Sequence, residues 1–254
     1  MVKIIKPSFE VLVWPAHDVL GLIEMAARTC YKSEENTGIR CLDCGKKFPS
    51  AGEVWESYND RCTHKNLEST ATKLVKTVMK RKHYSVIEHG VVIVKFISNR
   101  GFTHELVRHR LCSFSQESTR YCNYSQGKFG NKLTVIEPWW FKDYEPTYDP
   151  QEGVPLELER WHSAMQDAED AYIFLTDSGL PAQAARGVLP IDVKTEIVIT
   201  ANLREWRHIF KLRASKYAHP DMQRLMYPLL DEFKKKIPII YDDLPRDEQN
   251  GQDN

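Results

Sequence analysis

The sequence predicts an α+β fold, a small twisted antiparallel or mixed sheet packed with several helices. Residues 90–98 (GVVIVKFIS) are apolar on nearly both faces, as a central strand is. Several other segments carry apolar residues three and four apart, the signature of amphipathic helices. Strand-like and helix-like segments are interspersed, and no internal repeat unites them.

Taken in order, Lys3–Trp14 alternates around Pro7 and predicts one or two short strands. Val19–Tyr31 sets Leu20, Ile23, Ala26 and Ala27 at helical spacing. Residues 34–63 lose that periodicity and collect Gly38, Gly45, Pro49 and Gly52, which predicts an inserted loop or miniature subdomain. A helix resumes near Leu67, with Ala71, Leu74, Val75 and Val78 on one stripe. After the central strand, a helix from about Thr103 carries a cationic motif at its C-terminal end. Residues 122–152 predict an ordered loop with a short strand at Leu133–Ile136. Pro155–Ser178 reads as a long helix, followed by a short one ending near Gly187. Val193–Ala201 reads as strand, and Leu203–Ser215 and Asp221–Lys236 as helices. One domain over residues 1–245, with a Cys-containing insertion at about 34–64, and a disordered polar tail at 246–254 complete the expectation.

Lys+Arg and Asp+Glu both total 35 in 254 residues, so no global field draws in nucleic acid or anionic membrane. The longest apolar runs fall far short of the roughly 20 residues a membrane span needs. Six Cys without a secretory leader predict reduced thiols in the cytoplasm.

The densest chemistry is Arg108-His109-Arg110, then seven residues, then Ser118-Thr119-Arg120. Guanidinium forks and a short hydroxyl match phosphate oxygens, so a phosphorylated small molecule is the natural counterpart. In a regular helix Arg110 would point about 200° away from Arg108. Either the helix ends here, or the two arginines serve different ligands or subunits. A capped helix end with surface ion pairs is the bland alternative. Ser118 as a nucleophile activated by His109 lacks an orienting third group. Downstream, Arg186 has small neighbours that let a ligand approach. Asn202 and Glu205 form a capping-box variant, Arg204 and His208 are four residues apart, and Arg213 closes its helix. Cys41, Cys44, Cys62 and His64 offer a zinc-type ligand set inside the insertion, against plain reduced thiols, and the spacing leaves both open.

Arg-His-Arg, seven residues, then Ser is the hallmark of the flavin-dependent thymidylate synthases, and THELVRHRLCSFSQESTRYCNY resembles that family along its length. AARTCYKS (26–33), HYSVIEH (83–89), LPAQAARGVLP (180–190) and ANLREWRHIFKLRAS (201–215) resemble further family segments, in the expected order. The resemblance implies reductive methylation of dUMP to dTMP, with methylenetetrahydrofolate as carbon donor, FAD as hydride carrier and NADPH as reductant, in a homotetramer. It places Glu105, Arg108, Gln116, Glu117, Ser118, Arg120, Arg186 and Arg213 on dUMP, with Arg213 as the activating residue. It places His83, Ser85, Arg108, His109, Arg110, Asn202, Arg204 and His208 on FAD. Departures from the commonest family residues include Glu105 for Gln, Gln116 for an acid, Thr119 for Gly and His208 for Asn. Glu105 would disfavour a nearby phosphate unless Arg108 or Arg110 neutralises it. Rival expectations are a different modification of the same pyrimidine nucleotide, such as hydroxymethylation, a phosphate- or nucleic-acid-binding module, and a homologue that has lost flavin.

Overall fold

Two nine-residue strands, Val91–Asn99 and Lys194–Asn202, pair antiparallel from end to end and form the centre of the molecule. The structure is a computed structural model that describes residues 2–15, 18–49, 66–143 and 155–245. Its strands and helices run β1 (Lys3–Ile5), β2 (Ser8–Val13), α1 (Val19–Thr29), β3 (Ile39–Cys41), β4 (Lys47–Phe48), β5 (Leu67–Ser69), α2 (Thr70–Lys80) and β6 (Val91–Asn99). They continue as α3 (Arg100–Leu106), β7 (Ser113–Gln116), β8 (Thr134–Ile136), α4 (Leu156–Asp177), α5 (Ala182–Ala185), β9 (Lys194–Asn202), α6 (Leu203–Arg213), α7 (Pro220–Lys236) and α8 (Pro238–Tyr241).

The main sheet has the order β2-β6-β9-β7 and is antiparallel throughout. A parallel pair, β1-β8, and a three-stranded antiparallel sheet, β4-β3-β5, stand apart from it. The α+β class is therefore as expected, with β6 central. Alternation decides which side of the sheet is covered. Val92, Val94 and Phe96 of β6 and Ile197, Ile199 and Ala201 of β9 are buried in one core with α1, α2, α6 and α7. Ile93, Lys95, Glu196 and Val198, on the opposite side, are only half-buried. A second core joins Val135 of β8, Met165 and Tyr172 of α4, and Ala185 of α5.

Three boundaries differ from expectation, two because strand pairing overrides local pattern and one because a helix ends on its own backbone bonds. Leu67–Ser69 is strand, since Leu67 pairs with Cys41, and α2 begins only at Thr70, where the Ser69 hydroxyl accepts from Ala71 N. The cationic motif is not helical. α3 stops at Leu106, and Val107 N–H bonds back to Thr103 and Glu105 carbonyls. Ser113–Gln116, with no expectation of its own, is an edge strand laid against Ile197–Thr200 of β9. The segment expected as an insertion supplies β3 and β4 of the small sheet, which β5 completes, and Cys41 and Phe48 are buried together there. Cys62, His64 and the tail at 246–254 lie outside the described residues.

Trp206 fixes α6 to the sheet. It is fully buried, donates from Nε1 to Val92 O at 3.2 Å, and stacks on Phe210, with Phe233 of α7 tilted against it. Truncating so large a core side chain costs about 3–5 kcal/mol in general. Trp206→Ala should therefore lower the melting temperature by roughly 10 °C. Tyr217→Ala, at a side chain that is 87% exposed, should leave it unchanged. Thermal unfolding followed by circular dichroism checks both.

Candidate active site

The turn after α3 drops His109 into a buried slot beside α6, where it is only 4% exposed. Its Nε2 accepts from Arg213 Nε at 3.2 Å, and its Nδ1 lies 3.7 Å from a Glu205 carboxylate oxygen. An acceptor at Nε2 leaves the ring proton on Nδ1, facing Glu205. Burial first, then the charge of Arg213 and the neighbouring His208, push the His109 pKa from 6.5 down to about 4. The imidazole is thus neutral at physiological pH. Burial raises the Glu205 carboxyl above its usual range, with His208 and Arg204 opposing. His208 sets its ring edge-on to His109, with centroids 5.4 Å apart.

Arg213 is held on two further sides. Nη1 donates to the Glu105 carboxylate, and Nη2 donates to the Glu105 carbonyl at 3.2 Å. The acid at 105 is therefore neutralised by Arg213 and not by Arg108 or Arg110, which are both exposed. His109, Glu205 and His208 bring ligand-type atoms within 4.8 Å of one another. A metal there is disfavoured, because Arg213 occupies the His109 lone pair and brings a cation to the same spot. Cys112 follows on the same turn. Burial, then Glu205, raises its thiol to about 12, so it packs without reacting.

Around the start of α6, Asn202 accepts from Glu205 N at 2.8 Å and caps the helix, as its spacing predicts. Arg204 pairs with Glu88 at 2.6 Å, which ties α6 to the turn at Tyr84–His89. His83 and Ser85 stand exposed on that turn. The flavin-assigned residues thus fall into one neighbourhood along α6, except that Arg108 and Arg110 project from it into solvent.

The nucleotide-assigned residues divide. Gln116 donates to the hydroxyls of Thr103 and Thr195 at 3.0 and 3.2 Å. Glu117 instead accepts from Lys194 Nζ at 2.9 Å and from Tyr124 Oη at 3.0 Å. Ser118 opens a turn in which its Oγ accepts from Arg120 N at 3.3 Å. Arg186 reaches Thr119 Oγ1 at 3.4 Å across that turn. Here Ser118, Thr119 and Arg186 do converge. Arg213, however, is fastened to Glu105 and His109 and makes no hydrogen bond to this group among the described residues. A cavity of about 540 Å³ beside the turn is lined by Gln116, Glu117, Lys95, Lys194 and Glu196.

Lys95, Lys194, Glu196, Tyr124 and the His109-facing role of Glu205 were not anticipated. Strand alternation carried the signal for three of them, since Lys95 pairs with Glu196 at 2.5 Å across β6 and β9. Lys194 bonds Glu196 at 2.5 Å. Burial works against its charge, but the Glu196 and Glu117 carboxylates outweigh it and raise its pKa. Burial, then Glu117, raises the Tyr124 phenol. Within the insertion, Cys41 is buried and Cys44 exposed.

Residues 12–239 match the family model described as "Thymidylate synthase complementing protein". A flavin-dependent thymidylate synthase of Geobacter sulfurreducens is 34% identical over 89% of this chain and 82% of its own length. The enzyme so named from Saccharolobus solfataricus is 28% identical over 82% and 73%. Among solved structures, the UMP/dUMP methylase PolB of Streptomyces cacaoi, bound with 5-Br UMP, superposes with a TM-score of 0.65 over 95% of both chains at 17% identity, a likeness of fold.

His109 makes the site acid-sensitive. Folded, it refuses a proton down to about pH 4, whereas the unfolded chain takes one near 6.5. Its contribution is complete above pH 6.5 and is lost as pH falls toward 4. Between pH 7.5 and 5 the flavin-free protein should lose about 2 kcal/mol more stability than His109→Asn does. Urea unfolding at the two pH values checks this, and equal losses would contradict it.

Proposed function

The chain belongs to the flavin-dependent thymidylate synthase family, and from that premise we propose that it transfers a one-carbon unit to carbon-5 of dUMP and reduces it to the methyl group of dTMP. The carbon comes from methylenetetrahydrofolate and the reducing equivalents from NADPH. The observation that carries the proposal is the three-sided hold on Arg213 by Glu105 and His109.

Carbon-5 of uracil is a poor nucleophile until negative charge can spread through the ring. A guanidinium fixed in advance at the ring edge lowers that barrier without reorganising. Arg213 has five N–H groups in a rigid fork. Those not taken by Glu105 and His109 remain for the pyrimidine. Neutral His109 keeps the guanidinium aimed without adding a competing cation. Ser118, Arg120 and Arg186 hold the phosphate, a task suited to their exposed or half-exposed donors at one turn.

The residues along α6 suit an anionic dinucleotide with a flat polar ring. His83, Ser85 and His208 present exposed donors beside Arg204, and Arg108 and Arg110 meet no carboxylate among the described residues. They and His109 and Asn202 would hold FAD, which supplies hydride when bound. Within one protomer the Arg213 group and the Ser118–Arg186 group share no hydrogen bond among the described residues. We therefore propose a homotetramer in which each site takes Arg213 and the phosphate turn from different subunits. Reduced thiols at Cys30, Cys112 and Cys122 support a cytoplasmic location.

The test is the visible spectrum of the purified protein, with tritium release from dUMP labelled at carbon-5 when folate donor and NADPH are supplied. A yellow protein that releases label is expected. A colourless protein that releases none after FAD is added would defeat the proposal. Arg213→Ala should keep its flavin spectrum and lose about 10²–10³ in kcat, the usual loss on removing one preorganised donor.

A further inference from the structure

Beside the small sheet lies a cationic cavity that the proposed chemistry leaves unused. It is about 340 Å³ and lies between the small sheet, the C-terminal end of α1 and the first turns of α2. Such a volume falls in the lower range of small-ligand sites, which run from about 300 to 1,000 Å³. Its lining includes Arg28, Arg40, Lys47 and Lys73 against a single acid, Glu68.

Strand register makes the charge local. Ile39 and Cys41 alternate with Arg40 along β3 and pack with Phe48 in a small core. Arg40 stands directly opposite Lys47 on β4 and Glu68 on β5. Two cations face to face across strands destabilise a sheet unless an anion lies between them. Glu68 is drawn off by Lys76, 3.3 Å away. Arg28 is compensated by Glu24 at 2.7 Å, whereas Lys47 Nζ finds only the neutral Asn36 amide oxygen, at 3.3 Å. Among the described residues, Arg40, Lys47 and Lys73 meet no carboxylate within 4.0 Å. Ser69 adds a hydroxyl at the start of α2, where the helix dipole also favours negative charge, while the Thr70 hydroxyl is committed to Gly38 O and Glu24.

We propose that this cavity binds an oligophosphate, with Arg40, Lys47 and Lys73 as its principal ligands. Three cations from three elements match a ligand bearing at least two linked anionic groups better than a single phosphate. No aromatic ring lines the cavity, and Leu74 is its one apolar residue, so it reads phosphates and not a base. Free pyrophosphate or tripolyphosphate and the tail of a nucleoside triphosphate share this chemistry. The proposal stands independently of the chemistry assigned to Arg213.

The experiment titrates the full chain calorimetrically with pyrophosphate, after FAD and dUMP have been added to saturation to fill the anion subsites of the active site. One pyrophosphate per chain is expected, with orthophosphate weaker. Removing a charge-assisted bond costs about 1.5–3 kcal/mol, so Arg40→Ala with Lys73→Ala should weaken binding at least about ten-fold. Turnover of dUMP by that double variant should match the wild type. Lys47→Gln, a milder change on the same sheet, should weaken binding less and guards against a folding defect in the double variant. Parallel titrations with tripolyphosphate and ATP separate the sources: equal affinity indicates recognition of the phosphates alone, and tighter ATP binding indicates a nucleotide ligand. No pyrophosphate heat, or unchanged affinity in a folded double variant, overturns the proposal. A protein that binds pyrophosphate yet releases no tritium from dUMP would defeat the proposed function and leave this site standing.

Discussion

The antiparallel β6–β9 ladder sets the position of almost everything that matters. Each strand ends in an asparagine that caps the helix following it without an intervening loop. Asn99 accepts from Phe102 N at 2.8 Å, and Asn202 accepts from Glu205 N at 2.8 Å. Because the strands run in opposite directions, α3 and α6 leave from opposite ends of the ladder and fold back over one face. That geometry lets Arg213, the last residue of α6, meet Glu105 near the last residue of α3. Asn99 also donates to Asp192 and Asp221, at 3.1 and 3.0 Å, and so joins this end of the ladder to the approach to β9 and the first turn of α7. A slip of one residue in the register would exchange the buried and open faces and separate both pairs.

The site inherits its electrostatics from that placement. His109 can be both neutral and an acceptor only because α6 shields it while Arg213 supplies a donor. Arg213 is kept in place at one end by an acid. With an acid at 105 in place of a neutral amide, the guanidinium gains a stronger tether but a smaller net field toward a developing anion. Aim and charge therefore trade against each other at one side chain. α6 is itself stiffened from behind, since the buried Arg207 bridges to Asp243 at 2.6 and 2.7 Å and lies over the Tyr84 ring.

Periodicity made the long elements legible. β6, β9, α1, α4, α6 and α7 carry their own patterns, and packing merely completes them. The Asn202 cap was legible too, because a side chain and a backbone N–H three residues on are a local affair. What sequence did not yield was decided at a distance. Val107 ends α3 locally, by donating its N–H to the Thr103 and Glu105 carbonyls, but Ser113–Gln116 becomes strand only because β9 offers a free edge. Likewise Glu205 reads as a capping residue until His109 arrives from another element, and Lys95, Lys194 and Glu196 form a group only once β6 and β9 are in register. The Arg-His-Arg spacing singled out three residues but not their geometry, since the middle residue turns inward and the outer two turn outward.

Zero net charge conceals how the cations are apportioned. Carboxylates are committed to the arginines that hold the fold: Glu24 to Arg28, Glu88 to Arg204, Asp243 to Arg207, Glu137 to Arg224 and Glu105 to Arg213. Among the described residues, Arg108, Arg110, Arg120 and Arg186 meet no carboxylate, nor do Arg40 and Lys47 of the small sheet and Lys73 of α2. Exposed cations elsewhere, such as Lys80, Arg81 and Lys82 after α2 and Lys235 and Lys236 at the end of α7, also meet none, and there salt screens them within about 10 Å. The cationic motif with its phosphate turn and the cavity beside the small sheet differ in bringing such cations together from several segments. Groups of that kind attract small anions at short range, while a chain of zero net charge presents little field to a polyanion passing at a distance.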